Sequence, residues 1–129
     1  MHSALYNGFM KEYLVISTSV DLVRVASEEI VFISSDGNYS SFVFTSGESR
    51  VVTMQLGQVE RLLAEQLTNS GTDFIRIGKS LIINRNYISY INLTKQQLVL
   101  SDGLSTSHSL TASKEALKQL KELIEKGLK

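Results

Sequence analysis

Short stretches of alternating apolar and polar residues dominate the chain, and this spacing is typical of β-strands that bury one face. Runs rich in Val, Ile, Phe and Tyr are separated by Gly, Asn, Asp and Ser, which favour turns. The strongest turn signals are Asp36-Gly37-Asn38 and Asp102-Gly103, because Gly and Asn adopt a positive φ at little cost. The pattern predicts strands at residues 13–18, 22–26, 29–35, 39–45, 49–53, 74–77, 80–84, 87–93, 96–101 and 104–110.

Two segments carry their apolar residues at helical spacing instead. The first covers residues 54–68, and Thr53 is available to cap its start. The second covers residues 113–126, and Ser113 or Thr111 is available to cap it. The sequence therefore predicts one helix in the middle of the chain and one at its end.

These elements fit one domain, because no internal repeat and no long polar linker divides the chain. We predict a mainly β fold over residues 13–129, preceded by a tail or short helix at residues 1–12. The expected architecture is an elongated antiparallel sheet or sandwich arrangement of about ten short strands with two helices.

Composition excludes several kinds of chemistry. The chain has no cysteine, which rules out disulfides, thiolate metal sites and cysteine nucleophiles. Its two histidines, His2 and His108, lie far apart in the sequence, which disfavours a histidine metal site. Ser107 and Asp102 could be combined with His108 into a catalytic triad, but no nucleophile motif supports one. We therefore expect no enzymatic activity, no bound metal and no cofactor.

Charge is unevenly distributed along a chain whose net charge is zero. Residues 1–65 hold four Lys/Arg against eight Asp/Glu, whereas residues 66–129 hold nine against five. The neutral total disfavours nucleic-acid binding, while the basic second half favours it. Apolar runs are too short to span a bilayer and the N-terminus does not resemble a secretion signal, so we expect a cytoplasmic protein without membrane insertion.

The most informative stretch is residues 74–91, FIRIGKSLIINRNYISYI. It resembles the segment F-x-R-x-H-[RN]-S-x-[IV]-[IV]-N-x-x-x-I of LytTR-type DNA-binding domains. Upstream, residues 30–47 are similar to the family's first hairpin, with Tyr39 on its tyrosine, and residues 53–56 fit the family's T-x-x-L helix entry. The resemblance extends over residues 13–126.

The resemblance implies a transcription regulator whose loops enter successive major grooves of double-stranded DNA, bound as a dimer on repeated sites. The family's base-contacting positions lie in the first hairpin, in the loop before the serine that corresponds to Ser80, and at the start of the last helix. Carried onto this chain, these positions and their basic neighbours give the candidate DNA-binding residues Tyr39, Lys79, Ser80, Arg85, Ser113 and Lys114. Arg76 and Asn84 are further candidates, although Arg76 could pair with an acidic neighbour and Asn84 could belong to a turn.

Two departures from the family pattern leave a second hypothesis open. Gly78 stands where the family has His, and Lys79 stands where it has Arg or Asn. Arg can contact guanine with two hydrogen bonds, whereas Lys is a less directional donor. The alternative is therefore a protein-interaction or dimerisation module that has lost sequence-specific readout and acts with a signal-sensing regulatory protein.

Overall fold

The computed structural model describes residues 11–127, so most of the predicted tail or short helix at residues 1–12 lies outside the described residues. Within them the chain forms ten strands and two α-helices, which confirms the mainly β fold class. The strands are β1 (Tyr13–Ser17), β2 (Leu22–Ala26), β3 (Ile30–Asp36), β4 (Tyr39–Phe44), β5 (Ser49–Val52), β6 (Phe74–Ile77), β7 (Leu81–Asn84), β8 (Ile88–Asn92), β9 (Gln97–Ser101) and β10 (Ser107–Thr111). The helices are α1 (Leu56–Gln66) and α2 (Lys114–Lys126). Neither described helix is long and apolar enough to cross a membrane.

The strands form three antiparallel sheets. Strands β1 and β2 make a hairpin, β10-β9-β8 make a three-stranded sheet, and β5-β4-β3-β7-β6 make a five-stranded sheet. Strand β3 lies at the centre of the largest sheet, between β4 and β7. Its pairing with β7 aligns Ile33 with Ile82, which are far apart in the sequence.

Apolar residues cover both faces of the five-stranded sheet. Ile33 and Ile82 face a first core closed by α1 and the β1–β2 hairpin. Phe32 and Ile83 face a second core closed by α2 and the three-stranded sheet. Because both faces are covered, residues 30–33 read as a continuous apolar run rather than an alternating one.

The chain before β1 is fastened to the loop after α1 by the carboxylate of Glu12. This group accepts hydrogen bonds from the Ser70 hydroxyl (2.6 Å), the Ser70 and Asn69 backbone N–H groups and the Thr68 hydroxyl. These bonds, that of the Ser70 hydroxyl above all, favour the ionised carboxylate and lower the pKa of Glu12 to about 2.

Stability should therefore depend on pH through Glu12. A lowered pKa in the folded state stabilises the fold above the unfolded pKa of about 4.3 and loses that contribution as the pH falls towards 2. We expect Glu12→Gln to be less stable than wild type at neutral pH, with the difference shrinking between about pH 4.3 and 2. Denaturant unfolding at several pH values measures this difference, with the exposed Glu65→Gln as control. If the difference in unfolding free energy between wild type and Glu12→Gln did not vary with pH, the lowered pKa of Glu12 would be contradicted.

The structure corrects the predicted start of the first helix and the predicted loop between the last two strands. Helix α1 begins at Leu56 with Gln55 at the N-cap, so the prediction that Thr53 caps it is wrong. The β9–β10 loop covers residues 102–106 rather than Asp102-Gly103 alone. The Asp102 carboxylate accepts the backbone N–H groups of residues 104–106, which keeps these residues in the loop and delays β10 to residue 107. In contrast, Ser113 caps α2 as predicted, through a 3.1 Å bond from the Ala116 N–H to its hydroxyl.

Candidate nucleic-acid interface

The β3–β4 hairpin tip and the β6–β7 turn project side by side from one end of the five-stranded sheet. Strand β3 pairs with both β4 and β7, and a 2.8 Å bond from the Ser35 N–H to the Ser80 carbonyl continues this pairing into the turn. Tyr39 in the tip is 53% exposed, and Lys79 and Ser80 in the turn are exposed as well. We call this region, residues 36–39 and 78–80, the turn end of the sheet.

Arg76 holds the backbone of the β6–β7 turn. Its guanidinium donates to the Lys79 carbonyl at 2.9 Å and forms an ion pair with Glu60 of α1 at 2.8 Å. Gly78 occupies φ +64°, a left-handed conformation that suits glycine. Arg76 thus has the acidic partner that the sequence left open, and it positions the turn from which the Lys79 side chain projects.

The start of α2 lies at the turn end as well. The β6 strand and Gly78 line a shallow groove together with residues 116, 119, 120 and 123 of α2. Ser113 and Lys114, at the start of this helix, are exposed. The segments that carry Tyr39 and Lys79 are therefore neighbours in the fold, and the helix that begins at Lys114 packs beside Gly78 of the β6–β7 turn.

Arg85 does not join them. Its guanidinium lies at the C-terminus of α2, where a Cβ atom on Gly127 would approach one of its nitrogens to 3.4 Å. Helix α2 is about 20 Å long, and β7 separates Arg85 from Lys79 by about 13 Å. Arg85 therefore lies at the other end of β7 from Lys79 and at the other end of α2 from Lys114.

The opposite end of the sheet, where Arg85 lies, is rich in carboxylates. Burial raises the pKa of Tyr87, and the nearby charges of Glu28, Asp102 and Glu29 raise it further. The Tyr87 hydroxyl donates to the Glu28 carbonyl. Both ends carry mixed charge: the turn end has the exposed Asp36 as well as Lys79, and the carboxylates around Tyr87 are accompanied by Arg85 and by Lys11, which pairs with Glu28 at 3.9 Å.

Asn84 has a structural role. Its side chain is 2% exposed, donates to the Ile30 carbonyl at 3.0 Å and accepts from the Asn86 N–H at 3.0 Å. The bond from Asn86 caps the single helical turn that follows β7, and the bond to Ile30 joins this turn to the start of β3. The sequence left open whether Asn84 contacts DNA or belongs to a turn, and the structure supports the role in a turn.

Lys95 is an exposed basic residue that was not among the candidates predicted from the sequence. It lies in the β8–β9 turn, which is bonded to the residue before the α2 cap: the Ala112 N–H donates to the Gln96 carbonyl, and the Gln96 amide donates to the Ala112 carbonyl, both at 3.3 Å. Gln96 adopts φ +52°. The sequence analysis placed Gln96 in a strand, because a glutamine in the left-handed conformation has no clear sequence signal. Lys95 consequently adds a second lysine beside Lys114 at the start of α2.

The residues considered for catalysis are used in packing and turns. The His108 ring packs edge-on against Phe32, with centroids 5.3 Å apart. The Asp102 carboxylate accepts the N–H groups of its own loop, which lowers its pKa to about 2. Residues 11–127 contain no group of three His, Cys, Asp or Glu side chains placed to hold a metal ion.

Comparisons with known proteins bear on this arrangement. The sequence model of a family described as the LytTr DNA-binding domain matches residues 21–125. Among solved structures, a LytTr DNA-binding domain from Bacillus cereus superimposes with a TM-score of 0.62 at 18% identity, covering 89% of this chain and 98% of that one. No curated protein sequence matches the chain. The structural match concerns the fold, which it supports over nearly the whole length.

Proposed function

Because the chain belongs to the LytTr DNA-binding domain family, we propose that it is a transcription regulator that binds double-stranded DNA through its turn end. The observation that carries the proposal is that the β6–β7 turn lies beside the β3–β4 tip on one side and beside α2 on the other. The family is defined by DNA binding and not by an enzymatic reaction. Binding as a dimer on repeated sites in the bacterial cytoplasm belongs to the same proposal.

The exposed residues of the turn end, of the β8–β9 turn and of the start of α2 suit two kinds of DNA contact. Lys79, Lys95 and Lys114 provide charge for phosphates, whose neutralisation releases counterions and dominates affinity. The hydroxyls of Tyr39 and Ser80 can donate to phosphate oxygens. The carboxylates around Tyr87 lie at the opposite end, away from the phosphates, whereas the exposed Asp36 lies within the turn end and weakens the attraction there.

One observation favours the alternative function, a dimerisation or partner-binding module. Val20 and Val51 line a common surface depression beside the β1–β2 turn and are 89% and 57% exposed. Leu22 nearby is 61% exposed. Exposed apolar groups of this kind occur at protein contacts, for example with a signal-sensing regulatory protein. This surface does not include Lys79 or Lys114, so the two functions can be tested separately.

The proposal is tested by the salt dependence of DNA binding. Log affinity should fall with log salt by about 0.9 per phosphate contacted, so Lys79→Ala should flatten the slope by about one. The control is Lys126→Ala, which removes an exposed lysine at the far end of α2 and should leave the slope unchanged. Fluorescence anisotropy with labelled duplexes at several salt concentrations gives both slopes. An equal effect of the two substitutions would remove Lys79 from the interface, and no binding to any duplex at low salt would favour the alternative.

A further inference from the structure

Two amide side chains meet at the turn end and belong to neither the core nor a cap. The Gln55 side-chain amide donates to the Asn38 side-chain oxygen at 3.2 Å. Asn38 follows Gly37 in the β3–β4 tip, and Gln55 is the N-cap residue of α1, although its side chain makes no capping bond. Both residues are exposed and lie beside Tyr39. The fold thus brings two amides from different segments to the surface proposed to face DNA.

The bond between them fixes which atoms remain available. A hydrogen bond between exposed amides contributes little to stability, because water competes for both groups. It does determine orientation: the Asn38 oxygen and one Gln55 N–H are occupied by each other. The Asn38 Nδ2 group then offers two donors, and the Gln55 Oε1 atom offers an acceptor.

We propose that Asn38 and Gln55 form a pair that recognises adenine in the major groove, a role that rests on the proposed DNA binding. Adenine presents an acceptor, N7, beside a donor, the N6 amino group. Asn38 Nδ2 would donate to N7 and Gln55 Oε1 would accept from N6. Guanine presents two acceptors, N7 and O6, so its O6 would face the Gln55 oxygen without a proton between them. Cytosine and thymine have no N7 acceptor in the groove.

This pair gives the chain a source of base selectivity that its lysines lack. Gly78 cannot read a base through a side chain, and Lys79 is a less directional donor than Arg. Asn38 and Gln55 lie on the β4–β5 side of the turn end, whereas Lys79 lies on the β6–β7 side. Adenine selectivity is therefore expected at one position of the site, separate from the contacts made by Lys79.

The experiment begins with selection of duplexes from a random library by wild-type protein. The selection is repeated with Asn38→Ala, with Gln55→Ala and with Gln58→Ala, an exposed α1 glutamine that serves as control. We expect the two pair variants to lose the preference for adenine at the same position, by about tenfold or more, and the control to retain it. Asn38→Asp, which keeps the size of the side chain but replaces the donors with acceptors, should lose it as well.

A modified base then tests whether Asn38 contacts the N7 atom of the selected adenine. Replacing the selected adenine with 7-deazaadenine removes N7, and this should weaken binding of wild type but not of Asn38→Ala. The inference is overturned if the pair variants select the same motif as wild type, or if wild type binds DNA without preferring adenine at any position; in both cases DNA binding itself stands. Failure of wild type to bind any duplex would overturn the proposed function together with this role.

Discussion

Replacing Ile83 with Ala should lower the free energy of unfolding by about 2–5 kcal/mol. Ile83 is 0% exposed in the second core, opposite Phe32 on the neighbouring strand. Its removal leaves a cavity between the five-stranded sheet and α2, and β7 cannot shift to fill it because β3 and β6 hold it on both sides. Urea unfolding followed by circular dichroism measures the change.

Ser80 provides the matched control for Ile83. It lies just before β7 and is exposed, so Ser80→Ala should change the free energy of unfolding by about 0.5 kcal/mol or less. A loss below about 1 kcal/mol for Ile83→Ala would contradict the burial assigned to β7. Ser80→Ala is also expected to keep the fold while removing a hydroxyl from the turn end.

The largest expected effect on DNA binding comes from removing three lysines together. If Lys79, Lys95 and Lys114 each neutralise one phosphate, the triple alanine variant should flatten the salt slope by about 2.7. At about 0.15 M salt this corresponds to a loss of affinity of roughly a hundredfold, similar for all duplexes because phosphates carry no sequence information. Anisotropy titrations of wild type and the triple variant at several salt concentrations measure both quantities.

The control must carry the same change in net charge. Lys11, Lys121 and Lys126 are exposed and lie outside the turn end, so their triple alanine variant loses three charges without losing the proposed contacts. Its salt slope should stay close to that of wild type. If the two triple variants weaken binding equally, affinity depends on total charge alone, and the turn end is not the interface.

The order and type of the elements could be predicted from the sequence because local chemistry determines them. Gly37 adopts φ +67° in the tight turn that Asp36-Gly37-Asn38 predicted, and Ser113 caps α2. The pairing of β3 with β7 was not predictable, because it joins strands distant in sequence whose apolar faces fit many partners. The N-cap of α1 was not predictable either. Thr53 has a side chain suited to capping, but the backbone enters α1 two residues later, at Gln55.

The candidate site was predictable in part. Tyr39, Lys79, Ser80, Ser113 and Lys114 are exposed, and their contact with DNA stays a prediction. Arg85 was included as a basic residue that follows the asparagine of the family pattern, yet a strand that runs away from the turn carries it to the opposite end. The Asn38–Gln55 bond joins the β3–β4 tip to the residue before α1, two segments that are 17 residues apart, and no local pattern specifies that contact.

The position of β3 has a consequence for how the chain reaches its folded state. Neighbouring residues of β3 belong to different cores, with Phe32 in the second and Ile33 in the first. Residues up to the end of α1 can form the first core's local hairpins early, but β7 must still close a long loop to insert beside β3. That search is slow relative to hairpin formation, and until it ends the first core lacks only Ile82 of its buried members, whereas the second core has only Val31 and Phe32 in place. Folding should therefore be limited by one long-range docking step, which completes the second core.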